Sequence, residues 1–219
     1  MKRLNEIIYN TYNIYNNNYF NSKNINNIIN NYYNNNICIK KLLKVHNGKG
    51  KEYYKNGNIK YDGDFVNDKY EGNGKYIFKN GEYYIGQFLN ALSHGKGKIY
   101  YKNGNIKYDG DFVNGKCEGN GKHIDINGEY YIGQWLNGLK HGKGKIYYKN
   151  GNIKYDGDFV NDNYEGDGKY IYEDGEYYIG QWLNNLKHGK GKIYYKNGNI
   201  QYDGDFVNDK VKETSFYFK

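Results

Sequence analysis

The stretch GKGKIYYKNGNIKYDGDFVN, Gly95–Asn114, decides the fold because it returns. It stands unchanged at Gly142–Asn161, with Glu52 for Ile at Gly48–Asn67 and with Gln201 for Lys at Gly189–Asn208. Successive copies start 47 residues apart. A fixed period of this size marks an array in which each unit buries its apolar face only against its neighbours. Such a chain is not expected to hold one unique catalytic pocket.

Each unit contains two related halves. The pattern Tyr-x-Gly-x-Phe/Trp occurs as Tyr61-Gly63-Phe65, Tyr84-Gly86-Phe88, Tyr108-Gly110-Phe112 and Tyr131-Gly133-Trp135. It continues as Tyr155-Gly157-Phe159, Tyr178-Gly180-Trp182 and Tyr202-Gly204-Phe206, at intervals alternating between 23 and 24 residues. A Gly-x-Gly pair follows in six halves, from Gly72/Gly74 to Gly189/Gly191, and a turn dipeptide such as Asn80-Gly81 or Asp174-Gly175 closes each half. These residues resemble the MORN repeat over about residues 46–210. The resemblance implies a non-enzymatic organiser of protein or membrane-associated assemblies, with members that pair through their repeats.

The residues support the same fold without a family name. Asn-Gly and Asp-Gly between alternating runs predict hairpins with type I′ turns, whose two central residues both need positive φ. In Tyr61–Val66 the tyrosine, glycine and phenylalanine point to one face and Asp62 and Asp64 to the other. The expected fold is all-β: an elongated, single-layer antiparallel meander of stacked hairpins, about fourteen strands. Glycine in the motif leaves room for rings of neighbouring hairpins to cross the backbone.

Composition fits a sheet with a spine in place of a central core. The 219 residues include 30 Tyr and no Pro, and the mean hydropathy is −1.06. Stacked aromatic rings supply the contact area that aliphatic residues do not, with hydroxyls free to stay wet. Proline, which cannot donate to an internal ladder, is absent as expected.

Residues 1–45 are a different material from the array at 46–219. Fifteen of the first 36 residues are Asn. They read either as a low-complexity flexible tail or as a partly helical cap, with Ile25, Ile28, Ile29 and Tyr32 on one face and Ser22 as N-cap. Residues 37–47 align with YIGQFLNAL as a decayed half. After Phe206 the Gly-x-Gly pair gives way to Glu213-Thr-Ser215 and SFYFK, read as a terminal cap that completes the molecule.

Charge separates two functional readings. Residues 1–46 hold six basic and one acidic residue, leaving 26 basic and 23 acidic for the array from the totals of 32 and 24. Lys96, Lys98, Lys143, Lys145, Lys190 and Lys192 form columns beside columns of Asp62, Asp64, Asp109, Asp111, Asp156 and Asp158. They read as cross-strand pairs on a solvated face, or as a basic stripe for anionic phospholipid headgroups or a partner. Nucleic acid is disfavoured by the acidic columns.

Chemistry-bearing motifs are lacking, and the chain is not read as an enzyme. His94, His141 and His188 stand 47 residues apart, about four strands or ~19 Å, too far to share a metal. Cys38 and Cys117 have no zinc or disulfide spacing. The Gly-x-Gly-Lys runs lack the strand-to-helix context of a phosphate loop. The internal departures Cys117, His123 and Asp125 read as drift. No cofactor is expected. No signal peptide or membrane span is legible, which favours an intracellular protein. The expected function is a scaffold for protein partners or for self-association, the alternative being peripheral binding to anionic membrane lipid.

Overall fold

A computed structural model describes residues 47–212. The readings made for residues 1–46 and for the terminus beyond Lys212 lie outside them. The strands are β1 (Asn47–Tyr53), β2 (Ile59–Val66), β3 (Lys69–Ile77), β4 (Tyr83–Leu89), β5 (Leu92–Tyr100), β6 (Ile106–Val113), β7 (Lys116–Ile124) and β8 (Tyr130–Leu136). They continue with β9 (Leu139–Tyr147), β10 (Ile153–Val160), β11 (Asn163–Ile171), β12 (Tyr177–Leu183), β13 (Leu186–Tyr194), β14 (Ile200–Val207) and β15 (Lys210–Val211). All lie in one open sheet in chain order. The single-layer antiparallel meander is as expected. The short β15 adds a fifteenth strand, because the chain turns back once more after the seventh motif.

A row of glycines runs across the sheet. Gly50 pairs with Gly63, Gly63 with Gly74, Gly74 with Gly86 and Gly86 with Gly97. The row continues through Gly110, Gly121, Gly133, Gly144, Gly157, Gly168, Gly180 and Gly191 to Gly204. Over it lie the motif tyrosines. A Cβ built on Gly168 would come within 2.7 Å of two Tyr155 ring carbons, and one on Gly74 within 2.6 Å of Tyr61 ring carbons. The ring over each motif glycine is therefore that of its own strand, reaching on to the next, and not one from a distant hairpin.

Each motif tyrosine is also tied down at its hydroxyl. Tyr61, Tyr84, Tyr108, Tyr131, Tyr155, Tyr178 and Tyr202 all donate to the backbone carbonyl three residues on, at 2.8–3.2 Å. This corrects the expectation of wet hydroxyls. A buried phenol needs a partner, and the strand's own carbonyl is the one in reach. Phe or Trp two residues after the glycine meets these rings edge-on. The chain Phe65–Tyr61–Phe88–Tyr84–Phe112–Tyr108–Trp135–Tyr131–Phe159–Tyr155–Trp182–Tyr178–Phe206–Tyr202 is unbroken, with centroids 5.0–5.7 Å apart and planes at 78–90°. Each such pair adds about 0.5–1.5 kcal/mol beyond its buried area. Trp135 and Trp182 donate their indole N–H to the carbonyls of Gly121 and Gly168.

Turn chemistry is divided between the two long rims. The Asn-Gly and Asp-Gly loops that close the halves, such as Asn56-Gly57, Asn80-Gly81 and Asp174-Gly175, are not type I′. At Lys55–Gly57, Gly57 N–H donates to Tyr54 O and Tyr54 N–H to Asn58 O, and only the glycine has positive φ, 91°. This is a type I turn followed by a glycine bulge, a three-residue loop that demands the same dipeptide. The type I′ turns lie on the opposite rim, at Asn67-Asp68, Asn90-Ala91, Asn114-Gly115, Asn137-Gly138, Asn161-Asp162, Asn184-Asn185 and Asn208-Asp209, with both residues at positive φ.

Bulges explain the alternating period. Glu52 pairs with Tyr61 and Tyr53 with Ile59, so Lys60 is an extra residue. The same shift recurs at Lys107 and Lys154, while β3 meets β4 without one. The 24-residue halves are those that carry this extra residue, which is Gln201 in the last. The first glycine of each Gly-x-Gly pair sits in a second bulge at positive φ, 60° for Gly72. There the side chain after the motif glycine accepts the next amide: Asp64 Oδ2 from Asn73 N at 3.1 Å and Gln134 Oε1 from Lys143 N at 3.0 Å.

Three tests follow from this packing. Gly168→Ala is expected to cost about 3 kcal/mol by overpacking against Tyr155. Gly151→Ala, with φ +88° and nothing within 4 Å of its Cβ, should cost only about 1–2 kcal/mol; urea unfolding of both checks the contrast. Ala91 holds φ 68°, so Ala91→Gly should stabilise by roughly 0.5–1 kcal/mol after the glycine's greater chain entropy is deducted. The third test is alkaline. Burial raises the phenol pKa of Tyr84 and Tyr178 to about 12, from the ordinary ~10. An unfolded chain releases these protons first, so stability holds below pH ~10 and falls as pH rises towards 12. Exposed tyrosines should ionise first, with a second step of tyrosinate absorbance coinciding with loss of β-sheet circular dichroism. A single titration near pH 10 with the sheet intact would refute this.

Candidate interaction surface

The ring face is largely used up inside the protein. Of the motif aromatics, Tyr61, Phe65, Tyr84, Phe88, Tyr108, Phe112, Tyr131, Trp135, Tyr155, Phe159, Tyr178, Trp182 and Phe206 are buried, and Tyr202, beside the last short strand, is half-buried. The sequence-predicted repeat residues are thus brought together as one spine. Tyr70 and Tyr164 add rings stacked flat on Tyr61 and Tyr155.

The opposite, outer face carries the lysines. Lys98, Lys145 and Lys192 bond Asp109, Asp156 and Asp203 at 2.8 Å, and Lys51 bonds Asp62 at 2.9 Å. Lys143 pairs with Asp158 at 2.7 Å, Lys96 with Asp111, and Lys190 stands opposite Asp205 across the ladder. The carboxylate beside Lys98, Lys145 and Lys192 raises each ammonium's pKa through a hydrogen bond first and charge second. Exposed pairs of this kind add little to stability, because water and salt screen them. Their larger effect is to cancel the field of a lysine column. Between the pairs, Lys75, Lys122 and Lys169 lie 4.1–4.2 Å from the ring centres of Tyr83, Tyr130 and Tyr177. Those rings in turn stack on Tyr100, Tyr147 and Tyr194 at 4.6–4.7 Å.

Sequence reading missed an apolar stripe on this face, beside the type I′ turns. Val66, Leu89, Leu92, Val113, Leu136, Leu139, Val160, Leu183, Leu186 and Val207 are each 36–46 % exposed. Leu89 pairs with Leu92, Leu136 with Leu139 and Leu183 with Leu186 across their hairpins. The signal was legible in the recurring Val/Leu-Asn beside each such turn, but it gains meaning only once those dipeptides are known to be turns. Aliphatic side chains aligned in this way mark an interaction surface more often than scattered ones do.

Histidines and cysteine are positioned by the same repeats. His94, His141 and His188 have a buried Nδ1 without a hydrogen-bond partner. They occupy the place from which Asn47, Glu71, Glu118 and Glu165 accept the amides of Asn67, Asn90, Asn137 and Asn184. They remain on separate strands, β5, β9 and β13. Burial pushes the Cys117 thiol up to about 11, so it is protonated at neutral pH and is no nucleophile. Among the described residues, no group of three or more His, Cys, Asp or Glu is arranged to hold a metal. No helix among them is long and apolar enough to cross a membrane, which says nothing of strands.

A family model for the MORN repeat matches residues 45–59, 61–83, 84–106, 108–130, 131–153, 155–177 and 178–200. Six of these matches begin on a motif tyrosine or end just before one, and together they cover more than half of the chain. The family is a repeat scaffold, generally non-enzymatic. With its glycine row, its tyrosine spine and seven tandem matches, this chain belongs to the MORN-repeat family.

Proposed function

We propose that the array is a non-enzymatic, intracellular scaffold that binds protein, including a second copy of itself, through its outer face. The observation that carries this reading is the line of ten aliphatic residues, each 36–46 % exposed, along one rim of that face. A strip of this kind gains by removal from water, at about 25 cal/mol per Å². The neighbouring lysine–aspartate pairs supply specificity and solubility more than affinity. A long periodic strip also offers several equivalent contacts, so weak single contacts gain through avidity.

The alternative, attachment to anionic phospholipid, draws on the same lysines. Five of the six named lysines already hold an aspartate, which argues for a protein partner. Headgroup attraction is screened by salt, whereas aliphatic packing is not.

The test is sedimentation velocity of the full chain beside Leu136→Glu/Leu139→Lys, opposite charges at a cross-strand pair. The wild type should associate reversibly and equally at low and high salt, and the double variant should be monomeric. Its unfolding free energy should change by less than about 0.5 kcal/mol per site, as for surface changes. A wild type that stays monomeric at every concentration removes self-association. Flotation with anionic liposomes that is reversed by salt would replace the protein reading with the lipid one.

A further inference from the structure

The repeated units serve as controls for one another, and the middle one differs. Tyr70, Tyr76 and Phe78 form a file of rings on the spine face of the first unit. Tyr70 lies 3.9 Å from Tyr61 at 10°, Tyr76 is 6.0 Å further and Phe78 5.1 Å beyond. The third unit repeats this with Tyr164, Tyr170 and Tyr172, at 3.8, 6.2 and 4.9 Å. At the same places the middle unit has Cys117, His123 and Asp125. A recess of about 460 Å³ opens there, with Ile99, Cys117, His123 and Trp135 among its lining and Lys107 and Lys140 on its sides.

We propose that this recess binds a tyrosine side chain presented by a partner polypeptide, in the volume that Tyr70 and Tyr164 fill from within the flanking units. The flanking units show what the site offers a ring. Lys60 holds its ammonium 5.8 and 6.0 Å from the centres of Tyr70 and Tyr76; its counterpart here is Lys107. Lys187 lies 5.4 Å from Tyr172 and 5.6 Å from Tyr178, whereas its counterpart Lys140 has Tyr131 at 5.6 Å and the recess on its other side. Both cations thus border a ring-sized space, where cation–π attraction acts. Trp135, 6.2 Å from His123, gives the entering ring an aromatic wall. Cys117 and His123 fit this role: burial holds the thiol protonated and lowers the imidazole pKa, so these two groups are neutral, while Lys107, Lys140 and Asp162 carry the charge around them. A single rigid aromatic seated in a pocket is also the usual anchor of a protein interface. The site opens on the spine face at the rim of the type I′ turns, with Gly138 and Asp162 in its lining; the aliphatic stripe lies on the opposite face, and the two readings stand or fall separately.

The experiment titrates N-acetyl-tyrosinamide into the ¹⁵N-labelled full chain and follows the amides of Cys117, His123 and Gly138 and the Trp135 indole N–H. Saturable shifts confined to these signals, at the millimolar strength expected of one ring, are the predicted result. Cys117→Tyr, which restores the flanking-unit residue, should abolish them and raise the melting temperature. His123→Tyr, which restores the neighbouring ring, should weaken them if Cys117→Tyr does not fold. Absence of saturable shifts overturns the proposal, whether neighbouring side chains close the recess or the chain's own tyrosines hold it. So do shifts of equal size in the variants.

Discussion

The tyrosine ring laid across two glycines is the constraint on which the sheet depends. A single-layer sheet has no second layer to cover it, so its apolar face must be covered by its own side chains. The ring can lie flat only where no Cβ rises beneath it, and the hydroxyl then reaches the carbonyl three residues on. Once the ring is flat, the following Phe or Trp meets its neighbours edge-on, and the spine propagates from strand to strand. Stability of this kind is a sum over nearest neighbours.

Register is secured by the same device. A slip of one residue would carry side chains into the glycine row and turn the aromatic residues to the other face. The two kinds of bulge in each unit then have distinct duties. One turns the lysine at Lys60, Lys107 or Lys154 beside the spine, where Lys107 and Lys154 bond Glu82 and Glu129 at 2.8 Å. The other lets Asp64 or Gln87 accept an amide that the ladder leaves over. Polar groups released by the irregular backbone are thus taken up locally.

The two faces consequently have different uses. Rings that hold the sheet together are withdrawn from the ring face, except where Cys117 and His123 replace two of them. On the outer face, aspartates opposite lysines quiet the charge and leave aliphatic residues at the rim. A scaffold reading follows from what the fold leaves exposed, because the repeated residues themselves are occupied in holding the fold.

Much of this was legible before any coordinates. The 47-residue period required an array, and Tyr-x-Gly-x-Phe/Trp with Gly-x-Gly identified the strands and the face of each motif residue. The paired columns of Lys and Asp were foreseen as one of two readings. Two turn types share the Asn-Gly signature, however, and only the loop length in the folded chain separates Asn56-Gly57 from Asn114-Gly115. The bulged lysines, the aliphatic rim and the recess at Cys117 were hidden for one reason. Each depends on which strands lie side by side and how far their register is shifted, and a one-dimensional pattern does not carry that distance. Sequence by itself determined the repeat, the strands and the chemistry of each column; the tertiary structure decided which columns neutralise one another and which face water, because that follows from spacing across the sheet.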